Sequence, residues 1–226
     1  MKKPILAALL VCSPSMFATT IQHTGVDWSR GLSIEIQADG AVRRAGAGVG
    51  VLLVDGASYL DAFCVNLFKG IALYQNYDAV TVTASAFDAD GGTAAWIMQN
   101  FLPVVNAGAG AARQIEGAAL QLAIWDIIHD GGDGFAAGRV RATSNTNSSV
   151  LAVANQWRLA ALDEHGAANV FVAAPDTRSF QQQLYLPACS TGGNCGTSDV
   201  PEPGAMAMLA VGGAAVLFGS WRRRVR

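Results

Sequence analysis

The chain has 226 residues, 51% hydrophobic and 14% charged, enough apolar material for one sizeable core and the wrong balance for a charged disordered tail. Its formal net charge of -2 is unevenly spread. Six of the 15 basic residues sit at the extreme ends, and residues 19–200 carry nine basic residues against sixteen acids, which argues against nucleic acid as a partner.

Taken in order, Met1-Lys2-Lys3, the apolar run Ile5 to Val11 and a small-residue zone to Ala18 have the three regions of a secretory signal peptide over residues 1–18. Met16 is bulkier than a cut after Ala18 prefers, and Val11 before Cys12 departs from the small residue that lipid attachment requires. Gly48 to Val54 predicts a strand, Asp55-Gly56 a hairpin turn, and Tyr59 to Phe68 a second strand that holds Cys64 inside it or at its end. Val80 to Thr83 alternates as a half-buried strand. Thr93 caps a predicted helix through Phe101 that Pro103 stops; a second helix spans about Ala111 to His129 and ends at Gly131-Gly132; a third starts at Thr146, Asn147 or Ser148 and reaches about Leu162. Ala168 to Ala173 and Gln182 to Leu186 return to strand patterning. The expected fold is α+β: an antiparallel β-sandwich or barrel-like sheet with a grouped helical insertion over residues 19–187. An N-terminal signal precedes it, and a Gly-rich linker over 188–199 and a C-terminal transmembrane helix within 200–226 follow.

The C-terminal segment is the most specific. Val200-Pro201-Glu202-Pro203 precedes an apolar stretch from Gly204 to Gly219, then Trp221 and the cluster Arg222-Arg223-Arg224, which by the positive-inside rule would stay cytoplasmic. The stretch is at the short limit for crossing a bilayer. These three parts in this order resemble the PEP-CTERM sorting signal of Gram-negative bacteria. The resemblance implies transient anchoring in the inner membrane, recognition by an exosortase, cleavage near Pro201-Glu202-Pro203, and delivery to the cell surface or extracellular matrix.

Removing Cys12 with the signal leaves three cysteines. Cys189 and Cys195 bracket a Gly-rich loop that can close a small disulfide ring in an oxidising compartment, which leaves Cys64 without a partner. An inert buried thiol, a reactive nucleophile and a sulfur held in another bond remain as readings. In the second predicted helix, Gly117, Ala118, Gln121, Ile124, Trp125 and Ile128 share one face, with a polar amide in its middle that must find hydrogen bonds. Gly117 and Ala118 would let another backbone approach closely.

The motifs Phe63-Cys64-Val65-Asn66 and Leu120-Gln121-Leu122-Ala123-Ile124-Trp125 together resemble the Cys-Gln thioester domain of bacterial surface proteins, over roughly Gly48 to Leu162. The resemblance implies an internal thioester between Cys64 and Gln121, sheltered from water by Phe63, Trp125 and Trp96. It implies single-use covalent attachment to amine or hydroxyl groups on a surface or polysaccharide target, with no turnover expected of an enzyme and no cofactor. Lys69 is the only lysine outside the signal peptide, which suits an amine-reactive bond and also fits a general preference for arginine.

Rival readings carry less. A cysteine hydrolase needs Cys64 paired with His23, His129 or His165, none in a family signature. His129, two turns after Gln121, fits a histidine meeting the helix dipole or an aid to proton transfer. Asp88 to Gly92 and Asp130 to Gly134 lack the later bidentate Glu of a calcium loop and read as turns, and no Cys/His pair has zinc spacing. A non-covalent structural matrix protein, in which the two motifs only pack, is the runner-up.

Overall fold

The computed structural model describes residues 19–56, 58–70, 72–173 and 181–186. The signal peptide, Cys189, Cys195, the linker, Pro201-Glu202-Pro203, Arg222-Arg223-Arg224 and the expected C-terminal helix lie outside the described residues. Among those described, no helix is long and apolar enough to cross a membrane.

The strands are β1 (Thr19–Ala38), β2 (Ala41–Val54), β3 (Ser58–Cys64), β4 (Asn76–Thr83), β5 (Val140–Ala142), β6 (Asn169–Ala173) and β7 (Gln183–Tyr185). All pairings are antiparallel, in the order β2-β3-β7-β6-β4-β1-β5, and β1 also pairs with β2. That extra pairing closes six strands into a ring, with β5 attached to the far end of β1. Each of the six contributes to an interior cluster of Ile21, Leu52, Ala62, Tyr77, Ala79, Phe171 and Tyr185, which fills a small barrel with side chains. Of the two alternatives in the expected fold class, the barrel-like sheet is the one formed.

Two hairpins begin the barrel. Asp55-Gly56 turns with φ of 49° and 68°, the paired positive values of the tight turn its sequence predicts. Asp39-Gly40, with φ of 48° and 79°, makes the same turn between β1 and β2. The expectations omit β1 and β5 and begin β2 seven residues late. β1 is broken by register shifts between His23 and Gly25 and between Val26 and Gly31, which interrupt its two-residue alternation.

Between β4 and β6 the chain forms α1 (Ala84–Phe87), α2 (Gly91–Ala107), α3 (Gly110–Asp130) and α4 (Ser148–Ala161), with β5 between the last two. α4 is capped by Asn147, whose side-chain oxygen accepts the N–H groups of Ser149 and Val150 at 2.9 and 3.2 Å. Gly131, at φ 63°, ends α3 in the left-handed conformation its type favours. α2 departs from its expected bounds at both ends. It begins after Asp90, so Thr93 lies inside it and its hydroxyl donates to Glu164 O at 3.0 Å; and it runs four residues past Pro103 to Ala107. Burial of Leu102 and Val105 in the core on either side of Pro103 offsets the missing backbone donor. β3 also stops at Cys64, short of the expected Phe68.

α3 is the central element, packing on β1, β2, α2 and α4. The single apolar face expected of it is an underestimate, because every residue from Gly117 to Ile127 is buried. A helix enclosed on all sides has no polar face to spare. Its approach to β1 is set at Gly117, where a Cβ would come 1.9 Å from the carbonyl oxygen of Arg30. The close backbone approach expected at this residue is therefore present. Arg30 itself donates from Nε to Asp27 at 2.7 Å, from Nη2 to Asp61 at 2.8 Å and from Nη1 to Asn106 at 2.8 Å, which ties β1 to β3 and α2 beside the same contact.

Candidate functional site

β2 and β3 pair from Val54–Ser58 to Gly50–Ala62 and then part, which leaves one edge of Cys64 without a strand neighbour. On its other edge β3 pairs with β7, with Cys64 opposite Gln183 and the Val65 N–H donating to Gln182 O at 3.1 Å. Gln121 of α3 fills the open edge. Its Oε1 accepts the Cys64 N–H at 3.0 Å, and its Nε2 donates to the Cys64 carbonyl at 2.8 Å. The carboxamide thus pairs with the Cys64 backbone as a neighbouring strand would, and a side chain 2% exposed has both kinds of polar atom satisfied. The same geometry places the carbonyl of Gln121 on a backbone donor belonging to the residue that carries the thiol.

Cys64 and Gln121 open into a cleft of about 580 Å³ at the mouth of the barrel. A run of glycines on one face of β2 shapes it. Gly46, Gly48 and Gly50 recur at the two-residue spacing of a strand, and a Cβ at Gly50 would come 2.9 Å from His23 Nε2, while one at Gly46 would come 3.2 Å from the Trp28 ring. His23 and Trp28 of β1, Leu73 and Tyr74 of the loop before β4, Gln181 just before β7 and Gln183 at its start complete most of the lining.

Of the expected shelter, Trp125 lines the cleft with the pair. Phe63 and Ile124 are fully buried in the core behind it, and Gly117 is one turn away against β1. Trp96 does not line the cleft: it sits on α2, edge-on to Phe101 at 6.0 Å, with its backbone against Gly166. Its position in α2, rather than any feature of its type, directs it there. Lys69 is exposed and outside the lining.

Burial pushes the Cys64 thiol up to about 12, offset only in part by the Trp125 indole and the Asn66 backbone. Trp125 Nε1 meets no acceptor at hydrogen-bonding geometry, so its effect on the sulfur is that of a nearby dipole. His23 is 5% exposed and burial lowers it to about 4. Its Nδ1 accepts the Gly25 N–H at 3.1 Å, so the neutral ring carries its proton on Nε2. A neutral thiol and a neutral imidazole lining one cleft oppose the thiolate–imidazolium pair of a cysteine hydrolase.

His23 is nevertheless the histidine at the site, and the sequence expectations treat it only as a hydrolase candidate. The glycine spacing in β2 is the signal that would have drawn attention to this face. His129 lies elsewhere: its Nε2 accepts the Leu67 N–H at 3.4 Å and its ring packs on Phe68 at 4.8 Å. His165 packs against Gly92.

Asp126, Asp130 and Asp133 gather at the other end of α3 with ligand atoms within 4.8 Å of one another. Asp130 accepts the N–H groups of Arg139 and Val140 at 2.8 Å each, and Asp126 accepts that of Gly134 at 3.2 Å. These contacts build the turns expected of the acid-glycine segment.

Residues 199–224 match the PEP-CTERM protein-sorting motif. The chain carries this export signal. The PEP-CTERM motif indicates an exosortase substrate and an exported protein of the cell surface or extracellular space of Gram-negative bacteria. Among solved structures, the chain is similar to the N-terminal thioester domain of fibronectin-binding protein SfbI from Streptococcus pyogenes. Identity is 14%, coverage 77% of this chain and 97% of that one, and the TM-score 0.45. No curated protein matches the chain.

Proposed function

We propose that residues 19–187 form a thioester domain, exported through the PEP-CTERM motif and used once for covalent attachment to an amine or hydroxyl on a surface or matrix target. The observation that carries this reading is the reciprocal hydrogen bonding between the Gln121 carboxamide and the backbone of Cys64. The Cys64 sulfur attacks Gln121 Cδ, the carbonyl oxygen develops negative charge against the Cys64 N–H, and the C–N bond breaks. The thiol proton leaves with the amide nitrogen as ammonia, so no external base or co-reactant enters the balance. Holding both groups in near-attack geometry is worth on the order of 7–11 kcal/mol, enough to make an unreactive amide a usable acyl donor. The target nucleophile then takes the Gln121 acyl carbon and Cys64 is released as a thiol.

The reaction is single-use, so the protein is not an enzyme in this reading. Phe63 and Ile124 back the bond, Trp125 shields it, and Gly117 holds α3 close to β1. In this reading exosortase cuts near Pro201-Glu202-Pro203, Arg222-Arg223-Arg224 keep that end on the cytoplasmic side until then, and Cys189 and Cys195 are able to close a disulfide ring.

The same two hydrogen bonds also favour one alternative, a structural matrix protein in which Gln121 serves only to tie α3 to β3. Intact-mass measurement of the purified protein separates the readings. A closed thioester makes the chain lighter by one ammonia, and methylamine restores mass while exposing one alkylatable thiol. A full-mass chain whose Cys64 alkylates without methylamine overturns the thioester.

A further inference from the structure

The described residues that line the cleft include no Asp, Glu, Lys or Arg. The charged groups on the neighbouring stretch of β1, Asp27 and Arg30, are engaged with each other and with Asp61. A lysine ammonium entering this space would give up its water shell with no anion to receive it, a cost of several kcal/mol. A neutral acceptor meets no such penalty.

Three polar groups of the lining lack partners among the described residues: Trp125 Nε1, His23 Nε2 and Gln183 Oε1. His23 Nε2 carries a proton by the tautomer argument above and donates it to no described residue. Gln183 is fully buried, its Nε2 donates to Gln181 O at 3.3 Å, and its Oε1 accepts nothing. Two donors and one acceptor left open suit hydroxyls, which both donate and accept; an ammonium only donates.

At the rim, Trp28 and Tyr74 are 54% and 68% exposed, an unusual outlay of aromatic surface on a folded body. Tyr74 holds φ at 60°, a strained conformation for a bulky residue, kept in place by its N–H donating to His23 O at 2.9 Å and its carbonyl accepting from Gln22 Nε2 at 3.2 Å. Flat apolar faces beside hydroxyl-matching polar groups, in a cleft whose described lining carries no formal charge, are the complement of a sugar ring.

We infer that the cleft takes a neutral glycan and that its hydroxyl, rather than a lysine amine, is the acyl acceptor. This rests on the thioester reading for its covalent step, in which a glycan O–H adds to Gln121 Cδ, the C–S bond breaks, and the hydroxyl proton passes to Cys64 Sγ. The product is an ester on Gln121 and a free Cys64 thiol.

Two arms test the inference. In the first, the exported protein is incubated with a neutral maltooligosaccharide, with a lysine-containing neutral peptide, and with methylamine, and adducts are followed by intact mass. The sugar adduct should form roughly tenfold faster than the peptide adduct, be released by hydroxylamine as an ester is, and lose roughly tenfold in rate relative to methylamine in Trp28→Ala. Equal or faster peptide transfer, or an unchanged ratio in Trp28→Ala, overturns the inference while a methylamine adduct leaves the thioester standing.

The second arm needs no thioester. Cys64→Ala protein is titrated with the same oligosaccharide and read by tryptophan fluorescence. Saturable quenching that is lost in Cys64→Ala/Tyr74→Ala supports the glycan cleft; a flat titration overturns it whatever the thioester does.

Discussion

Helix α3 carries two buried polar side chains five residues apart, and they are stabilised in opposite ways. Gln121 is neutral, held by the backbone of one strand residue, and opens into a cleft whose described lining carries no formal charge. Asp126 is 0% exposed, accepts the Gly134 N–H, and has Arg158 Nε 3.6 Å away, beyond hydrogen-bonding range. Burial therefore outweighs Arg158 and raises the Asp126 carboxyl to about 7. One end of the helix is matched by dipoles and the other by incompletely compensated charge. The first arrangement suits a group that must react while its surroundings stay still; the second suits a structural tie that tolerates strain.

Four experiments bear on this contrast. The largest effect is expected for Asp126→Ala, which leaves Arg158 buried without a counter-charge and should lower unfolding free energy by about 4 kcal/mol, read by denaturant titration. Asp126→Asn removes the same charge while keeping the shape and should cost nearly as much; a far smaller loss for Asn would show that charge is not what the site supplies. Gly117→Ala comes next, at about 3 kcal/mol, because its new methyl meets the backbone of Arg30 and no flexible side chain can yield. Amide exchange should then speed up at Cys64 and stay slow at Gly134; uniform acceleration would contradict a local role for Gly117.

Gln121→Ala should cost about 2 kcal/mol by leaving the Cys64 N–H and C=O unpaired, and should abolish any methylamine adduct. An adduct that persists would place the acyl group elsewhere.

The smallest expected effect is in pH dependence, where the two ends of the molecule oppose each other. His23 falls from 6.5 to about 4 on folding, so below pH 6.5 the unfolded chain binds a proton that the folded one refuses, and stability declines as pH drops through that window. Asp126 rises from 3.8 to about 7, so the folded chain keeps a proton that the unfolded one loses, and its contribution is lost as pH rises through that window. His23→Gln should flatten the first slope and Asp126→Asn the second, measured by urea midpoints across pH 4 to 8. Exchange of the two signs would refute the assigned causes.

Much of this was legible in the chain. The Asp55-Gly56 turn, α3 and its glycine stop, α4 and its cap, and five of the strands follow from local chemistry. β1 was not, because register shifts at His23 and Gly25 and again near Val26 and Gly31 break the alternation that reveals a strand, although Leu32 to Ala38 preserves it. Pro103 does not end α2, because burial of Leu102 and Val105 offsets a backbone cost that local chemistry alone would make decisive. Aromatic type alone places Trp96 at the site, whereas its position in α2 sets it against Phe101 instead.

At the site, Cys64 and Gln121 stood out by chemistry: an odd thiol in an exported chain and an amide on an apolar face. Their sequence separation of 57 residues says nothing about distance, and their reciprocal hydrogen bonds exist only because β2 parts from β3 at that residue. His23, Tyr74, Gln181 and Gln183 join them from segments far apart along the chain, where no spacing rule applies.

What the amino-acid order determined by itself was local: which stretches turn, coil or extend, which side chains are chemically unusual, and which terminal signal is present. Tertiary structure alone decided that the barrel closes, that glycines on β2 hollow out one face, and that the described residues lining the cleft carry no formal charge. The physical reason is that propensity and capping act over a few bonds, whereas a cleft and its polarity are properties of surfaces brought together by strand pairing.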